Sequence, residues 1–60
     1  MRQVLLIPDP ESDWITVEVP GLPGCISQGR TVEEALANIR DAIRGYVNDM
    51  IAAGEPVPRD

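Results

Sequence analysis

The sequence changes its hydrophobic period at Gly29, and this change constrains the fold more than any other feature. After Gly29, apolar side chains recur every three or four residues, which is typical of one face of an amphipathic α-helix. This apolar stripe consists of Val32, Leu36, Ile39, Ile43, Val47 and Met50, widened by Ala35, Ala42 and Tyr46. A helix with such a stripe needs an apolar surface to cover, and the residues before Gly29 must provide it.

Local signals define both ends of this helix. Thr31 stands three residues before Glu34, which is the spacing of a capping box. In that motif the threonine hydroxyl accepts the Glu34 amide hydrogen, and the glutamate carboxylate accepts the amide hydrogen of Thr31. Gly54 suits the position just after a helix, and two prolines beyond it prevent continuation. The sequence therefore predicts a helix from about Val32 to Ala53.

The residues before Gly29 have the pattern of short β-strands. The segment Trp14–Val19 alternates in polarity, which is the period of a half-buried strand. Val4–Ile7, which we expect Pro8 to end, and Cys25–Gln28 are two further strand candidates. We therefore expect one α+β domain over residues 1–60, a three-stranded antiparallel sheet packed on one long helix in the order β-β-β-α. Such a sheet has two edges, and a free edge is either guarded or used for association.

The composition excludes several classes of function. The chain has five Arg, no Lys, no His and ten acidic residues, which gives a net charge of −5. Without His it cannot use histidine acid–base chemistry or build a histidine metal site, and its single Cys cannot form a zinc cluster or an internal disulfide. The negative charge opposes direct binding of nucleic acid. Because no apolar run is long enough for a membrane span or a signal peptide, we expect a cytoplasmic, non-catalytic protein without cofactors.

The stretch from Val19 to Leu36, VPGLPGCISQGRTVEEAL, resembles the HicB-like antitoxin family. Members carry an alternating strand, then P-x-L-P-G-C-x-S-Q-G, one further residue, and T-x-E-E-A-L at the start of a helix. The pairs N-I and A-I at residues 38–39 and 42–43 continue the resemblance along the helix. The similarity extends over roughly residues 4–58, which is nearly the whole chain.

This resemblance implies a role in a type II toxin–antitoxin system. Antitoxins of the family neutralise HicA, a small basic toxin that degrades RNA through a catalytic histidine. Their amino-terminal domain is described as a partial, degenerate RNase H-like fold of order β-β-β-α-β, and many members add a carboxy-terminal DNA-binding domain. Because this sequence ends at Asp60, we expect no DNA-binding domain, no promoter binding by this chain alone and little room for a fourth strand near residues 56–60.

The first turn of the chain is a candidate partner-binding site. Asp9, Glu11 and Asp13 cluster there, directly before Trp14. A solvated hairpin tip explains such a cluster without any function. The alternative is an acidic surface for a basic partner, in which complementary charge speeds the encounter and the tryptophan is an apolar anchor. By strand alternation, Trp14 points away from the apolar face of its strand, so it is either covered by another chain or exposed to water.

Leu22 is a further candidate, because it lies within the stretch Pro20–Gly24. Two prolines and two glycines make a rigid connection between strands, whatever the function of the protein. The alternative makes an exposed Leu22 part of a docking loop. Cys25, which has no partner in the sequence and no His to activate it, is interpreted as a small buried residue.

Three acidic residues allow a metal-dependent hypothesis. Asp9, Glu33 and Glu34 lie where RNase H-like nucleases place Mg²⁺ ligands. A turn and a helix cap explain all three without a metal, and a charge of −5 opposes an anionic substrate. Arg40 and Arg44 lie one turn apart on the polar helix side, which we interpret as a solvated face rather than a phosphate site.

The leading functional prediction is a module that masks a basic HicA-like toxin by protein–protein contact. The main alternative is a self-associating structural or protein-interaction module without a toxin partner, and a metal-dependent nuclease is a distant third. A core of this size is marginal for stability, and the sheet has a free edge. Both features predict a homodimer or a higher homo-oligomer, since a closed dimer is the commonest symmetry.

Overall fold

A computed structural model describes residues 2–58 and contains three strands followed by one helix. The strands form one antiparallel sheet in the order β1-β2-β3. The elements are β1 (Leu5–Pro8), β2 (Ile15–Glu18), β3 (Ile26–Gly29) and α1 (Val32–Ala52). The predicted α+β class and the β-β-β-α order are confirmed, and every strand boundary lies one residue from its predicted position.

Pro8 belongs to β1, so the prediction that it would end the strand is wrong. The backbone N–H of Asp9 donates to the carbonyl of Trp14 at 2.9 Å. Because alternate residues of an antiparallel ladder point to opposite sides, the amide position of Pro8 faces away from β2. Proline lacks only a donor that the ladder does not need there, which is why an edge strand tolerates it.

The helix begins and ends as its local signals predict, but one capping hydrogen bond has a different donor. Thr31, in extended backbone (φ −130°, ψ 163°), accepts the Glu34 amide hydrogen on Oγ1 at 3.0 Å. The Glu34 carboxylate accepts the amide hydrogen of Arg30 at 2.9 Å, one residue before the expected donor Thr31. At the other end Ala53 is the C-cap, and Gly54 takes the left-handed conformation (φ 75°). The capping is therefore confirmed, with its carboxylate bond shifted by one residue.

The core lies between the helix and one face of the sheet. It is formed by the buried side chains Val17, Val19, Leu22, Cys25, Ala35 and Ile39. Val17 lies on the central strand and is completely buried, as is Ala35 in the first turns of the helix. Partly buried side chains from the rest of the helical stripe extend this core towards the carboxyl end of α1.

The helix approaches β3 closely at Gly29. A Cβ atom at this position would meet the amide nitrogen of Ala35 and lie 2.8 Å from the carbonyl carbon of Glu34. Only glycine fits here, because a side chain would collide with backbone atoms of the helix, which cannot move aside as a flexible side chain could. Next to it, the side-chain amide of Asn38 donates to the carbonyl of Gln28 at 2.7 Å. The amino-terminal half of the helix is therefore held against β3.

Leu22 is fully buried, so the expectation of an exposed docking leucine is wrong. The loop before β3 turns back over the end of the core, with the Leu22 amide donating to the Val19 carbonyl at 3.0 Å and the Cys25 amide to the Leu22 carbonyl at 2.9 Å. The Tyr46 hydroxyl donates to the Pro23 carbonyl at 2.8 Å and ties this loop to the helix. The loop is a rigid, core-filling connection.

The helix leaves β1 largely uncovered. It packs mainly on β3 and less on β2. Leu6, on the helix side of β1, therefore keeps 38% of its surface exposed. Between the segment before β1 and the helix lies an open groove of about 240 Å³, lined by Arg2, Val4, Leu36, Ile39, Arg40 and Ile43. Among the described residues, no helix has both the length and the apolar character that a membrane crossing requires.

Candidate partner-binding surface

The acidic turn between β1 and β2 is held together by Asp9. Its Oδ1 accepts the amide hydrogen of Glu11 at 2.9 Å, and its Oδ2 accepts the hydroxyl hydrogen of Ser12 at 2.8 Å. The Ser12 hydroxyl in turn accepts the Trp14 amide hydrogen at 3.2 Å. Asp9 therefore shapes the turn, because both of its carboxylate oxygens are engaged within it.

These bonds also fix the charge of the turn. The backbone bond from Glu11, followed by the bond from the Ser12 hydroxyl, holds the pKa of Asp9 below its usual value. The carboxylates of Glu11 and Asp13 are exposed and make no hydrogen bond within residues 2–58. The turn thus contains one carboxylate that maintains its shape and two that present negative charge to solvent.

Trp14 lies at the base of the turn under the side chain of Arg30. The guanidinium carbon is 5.0 Å from the ring centroid, which is within the range of a cation–π contact. The indole keeps 37% of its surface exposed. The predicted candidates Asp9, Glu11, Asp13 and Trp14 are therefore together in space, and Arg30 joins them from the end of β3.

A sheet face with three exposed apolar side chains continues from Trp14. Pairing places Leu5, Glu18 and Ile26 in one row across the sheet and Ile7, Thr16 and Gln28 in the next. These rows face away from the helix, because the alternate residue Val17 points into the core. We call them, with Trp14, the outer face. Its large apolar side chains are well exposed, Leu5 and Ile7 each by 47% and Ile26 by 56%.

Sequence reasoning had not included Leu5, Ile7 or Ile26 among the candidates. The available signal was the run LLI within β1, since a strand that is apolar on both faces is typical of burial on both sides. The cover for the outer face is not provided by the described residues. The outer face and the acidic turn together therefore form the candidate partner-binding surface.

The remaining candidates lie elsewhere. Leu22 and Cys25 are in the core, and burial raises the pKa of the Cys25 thiol, which keeps it neutral at physiological pH. The Glu34 carboxylate caps the helix through its bond to Arg30. Within residues 2–58, no three acidic or Cys side chains are grouped so that they could hold a metal ion.

Several known proteins are similar to this chain. A UPF0150 protein of Thermoplasma acidophilum is 43% identical over 60 residues, which is 100% of this chain and 87% of that protein. A UPF0150 protein of Synechocystis sp. is 51% identical over 41 residues, 68% of this chain and 52% of that protein. A UPF0150 protein of Helicobacter pylori is 56% identical over 34 residues, 57% of this chain and 47% of that protein. No solved structure gave a significant match.

The chain spans most of the Thermoplasma relative and about half the length of the other two. A family model described as the HicB-like antitoxin of bacterial toxin–antitoxin systems matches residues 3–60. This match covers all three strands, the acidic turn and the helix. The chain therefore belongs to the HicB-like antitoxin family.

Proposed function

We propose that this protein is an antitoxin that binds and neutralises a small basic RNA-cleaving toxin of the HicA type. Its family supports an antitoxin role and suggests a non-catalytic protein. The observation that carries the proposal is the acidic turn beside the outer face, where exposed negative charge adjoins exposed apolar surface. A surface of this kind suits a partner whose own binding site is cationic and partly apolar.

Neutralisation would work by substitution of carboxylates for phosphates. A basic ribonuclease binds RNA through cationic side chains around its catalytic group. Glu11 and Asp13 are free to occupy the positions that RNA phosphates take, while Asp9 holds the turn in shape. The net charge of −5 attracts such a toxin over about a Debye length of 8–10 Å and repels the RNA itself. On this proposal the protein acts in the cytoplasm as a competitor of RNA.

Trp14 and the acidic residues have separable roles in this proposal. Rim carboxylates mostly increase the association rate, and their contribution falls as salt screens them. A partly exposed tryptophan at an interface mostly sets the dissociation rate, and its truncation typically costs about 2 kcal/mol or more, which is roughly 30-fold in affinity. We therefore expect the two kinds of substitution to change different rate constants.

The test is a kinetic binding series with the small basic product of the neighbouring gene, at two salt concentrations. Glu11→Gln combined with Asp13→Asn should slow association, and more so at low salt. Trp14→Ala should speed dissociation. Asp41→Asn combined with Asp49→Asn removes the same charge from exposed helix positions and is the matched control. If both turn variants are folded and bind at unchanged rates, the interface lies elsewhere, with the helix side around Arg40 and Arg44 as the next candidate.

A second candidate function is a self-associating module without a toxin partner. The uncovered strand β1 favours it, because its apolar side chains remain exposed in a single copy. The two functions are distinguished by an RNA cleavage assay. An antitoxin abolishes cleavage at about one equivalent per toxin, whereas a module without a toxin partner leaves cleavage unchanged at any ratio.

A further inference from the structure

The outer face carries a carboxylate between two apolar side chains. Glu18 lies on the middle strand β2, and the register places it directly between Leu5 of β1 and Ile26 of β3. Neighbouring strands are about 4.8 Å apart, so the two apolar side chains flank the carboxylate from both sides. Leu5 is 47% and Ile26 is 56% exposed, whereas Glu18 is half-buried. A negative charge therefore lies in the middle of an exposed apolar row.

No side chain within residues 2–58 neutralises this charge, because the Glu18 carboxylate makes no hydrogen bond or ion pair there. Arg30, which is on the same side of the sheet, is held over Trp14. Trp14 is four residues from Glu18 along the strand, which corresponds to about 13 Å. The carboxylate of Glu18 is thus available to a partner.

A partner cannot cover the apolar row without covering the carboxylate. Contact with both Leu5 and Ile26 spans about 10 Å across the sheet, and Glu18 lies in the middle of this span. An ionised carboxylate that is removed from water without a counter-charge is strongly unfavourable, whereas a paired one contributes to affinity in a close charge pair. The row therefore disfavours a purely apolar partner and favours one with a cation at the centre of its contact surface.

We propose that Glu18 determines the specificity of the outer face by receiving an arginine side chain of the basic partner. Arginine suits this position better than lysine, because its guanidinium is planar, weakly hydrated and able to donate two parallel hydrogen bonds to one carboxylate. Its flat faces can lie against the side chains of Leu5 and Ile26. This inference rests on the proposed antitoxin function and adds the chemistry that the toxin must present at the centre of the interface.

The order of charges along the outer face restricts how the partner is oriented. The acidic turn lies at one end, the positive Arg30 follows over Trp14, and the negative Glu18 lies two residue pairs further along the sheet. Like charges placed opposite each other across an interface are unfavourable. This sequence of negative, positive and negative charge therefore admits a basic partner in fewer orientations than a uniformly acidic surface would.

Glu18 should act on a different rate constant from Glu11 and Asp13. Those two carboxylates are exposed at the turn, so they act mainly on association and are screened by salt. The partner encloses Glu18 in the complex, where salt screens a charge pair much less. Loss of the Glu18 charge leaves the arginine buried and unpaired, so it should mainly increase the dissociation rate.

The test is a kinetic binding series of the full chain with the small basic product of the neighbouring gene, at two salt concentrations. Glu18→Gln keeps the shape of the side chain and removes its charge, and it should increase the dissociation rate constant at least about tenfold at both salt concentrations. Glu18→Leu should also weaken binding, although it enlarges the apolar row. Glu55→Gln, the same change at an exposed residue beyond the helix, is the matched control and should leave this rate constant unchanged.

Replacement of each Arg and Lys of the toxin by Met, tested against the parent and against Glu18→Gln, identifies the counter-charge. One arginine should lose its effect on affinity once Glu18 has been replaced, because the two side chains form one pair. If no arginine of the toxin is coupled to Glu18 in this way, the proposal is wrong.

The remaining outcomes separate this inference from the antitoxin function. Tighter binding by Glu18→Leu would overturn the inference, because the row would then accept an apolar surface. Unchanged dissociation of Glu18→Gln from a toxin that binds the parent would also overturn it and leave the antitoxin function intact. A change in the sedimentation mass of the protein alone on this substitution would assign the row to a second copy instead. If the parent does not bind the toxin, the antitoxin function itself is wrong, and this inference fails with it.

Discussion

The helix packs closely on one edge strand of the sheet, β3, and leaves the other edge strand, β1, largely uncovered. At β3 the helix comes so close that only glycine fits at position 29, and Asn38 adds a hydrogen bond to the same strand. At β1 the helix-side residue Leu6 remains 38% exposed. A helix is about 10 Å wide and strands lie about 4.8 Å apart, so one helix covers about two strands. The close contact at Gly29 therefore places the helix over β3 and leaves β1 largely uncovered by the described residues.

Leu22→Ala, in the core between the helix and the sheet, should cause the largest loss of stability. We expect the free energy of unfolding to fall by about 2–5 kcal/mol, because a fully buried leucine leaves a cavity when it is truncated. Leu6→Ala, on the largely uncovered strand β1, should lower the free energy of unfolding by less than half as much, because Leu6 is already 38% exposed. Urea denaturation of both variants at low protein concentration measures the difference, and equal losses would contradict the comparison.

Gly29→Ala tests the close approach itself. The added methyl group meets backbone atoms of Glu34 and Ala35, so the helix must move away from β3. We expect a loss of about 1–3 kcal/mol, the usual cost of overpacking. Gly21→Ala is the control, because a Cβ there meets nothing within 4 Å. A stable Gly29→Ala protein with unchanged melting temperature would show that the helix is not held at this point.

Tyr46→Phe removes the hydrogen bond that ties the loop before β3 to the helix. Because the Pro23 carbonyl is on an exposed residue and can bind water instead, the expected loss is only about 0.5–1.5 kcal/mol. Denaturation measures the loss, and hydrogen exchange at Leu22 and Cys25 should report a looser loop. A loop with unchanged exchange rates would mean that the core contacts of Leu22 alone hold it.

Asp9→Asn should have the smallest effect, and one that depends on pH. The folded state lowers the pKa of Asp9 below its usual 3.8, so the ionised carboxylate stabilises the fold. That contribution is present above pH 3.8 and is lost as the pH falls through the lower folded-state pKa. The variant should therefore be less stable than the parent at pH 7, and the two should converge in acid. Asp13→Asn, which loses no hydrogen bond within the described residues, is the matched control and should leave the free energy of unfolding at pH 7 unchanged.

The parts of the fold that depend on neighbours in sequence were predictable. The helix, its Thr31 cap and the left-handed Gly54 rely on signals within a few residues of each other, and all three are confirmed. The strand boundaries were predicted to within one residue for the same reason. The exception at Pro8 depends on which side of the strand is unpaired, and this is a property of the whole sheet.

The parts that depend on distant contacts were not predictable. Leu22 lies in a stretch of prolines and glycines that is typical of a surface turn, yet it is fully buried. The loop turns back through its own backbone hydrogen bonds, and the Tyr46 hydroxyl bonds to its Pro23 carbonyl. Likewise, the run of apolar residues in β1 indicated burial but could not show that the helix covers β3 instead. The cluster of Asp9, Glu11, Asp13 and Trp14 was predicted because it lies within one short turn. Its neighbour Arg30 was not predicted, because it follows another strand, β3, and is distant in sequence.

Trp14 is the only tryptophan of the chain, and it is at the surface under Arg30 rather than in the core. Its fluorescence therefore describes the acidic turn and says little about the packing of the interior. Unfolding should change the emission wavelength only slightly, because the indole is already in contact with water. A partner that covers the turn should shift the emission to the blue and shield it from soluble quenchers. The protein thus contains its own optical reporter for occupancy of this surface, and no dye needs to be attached.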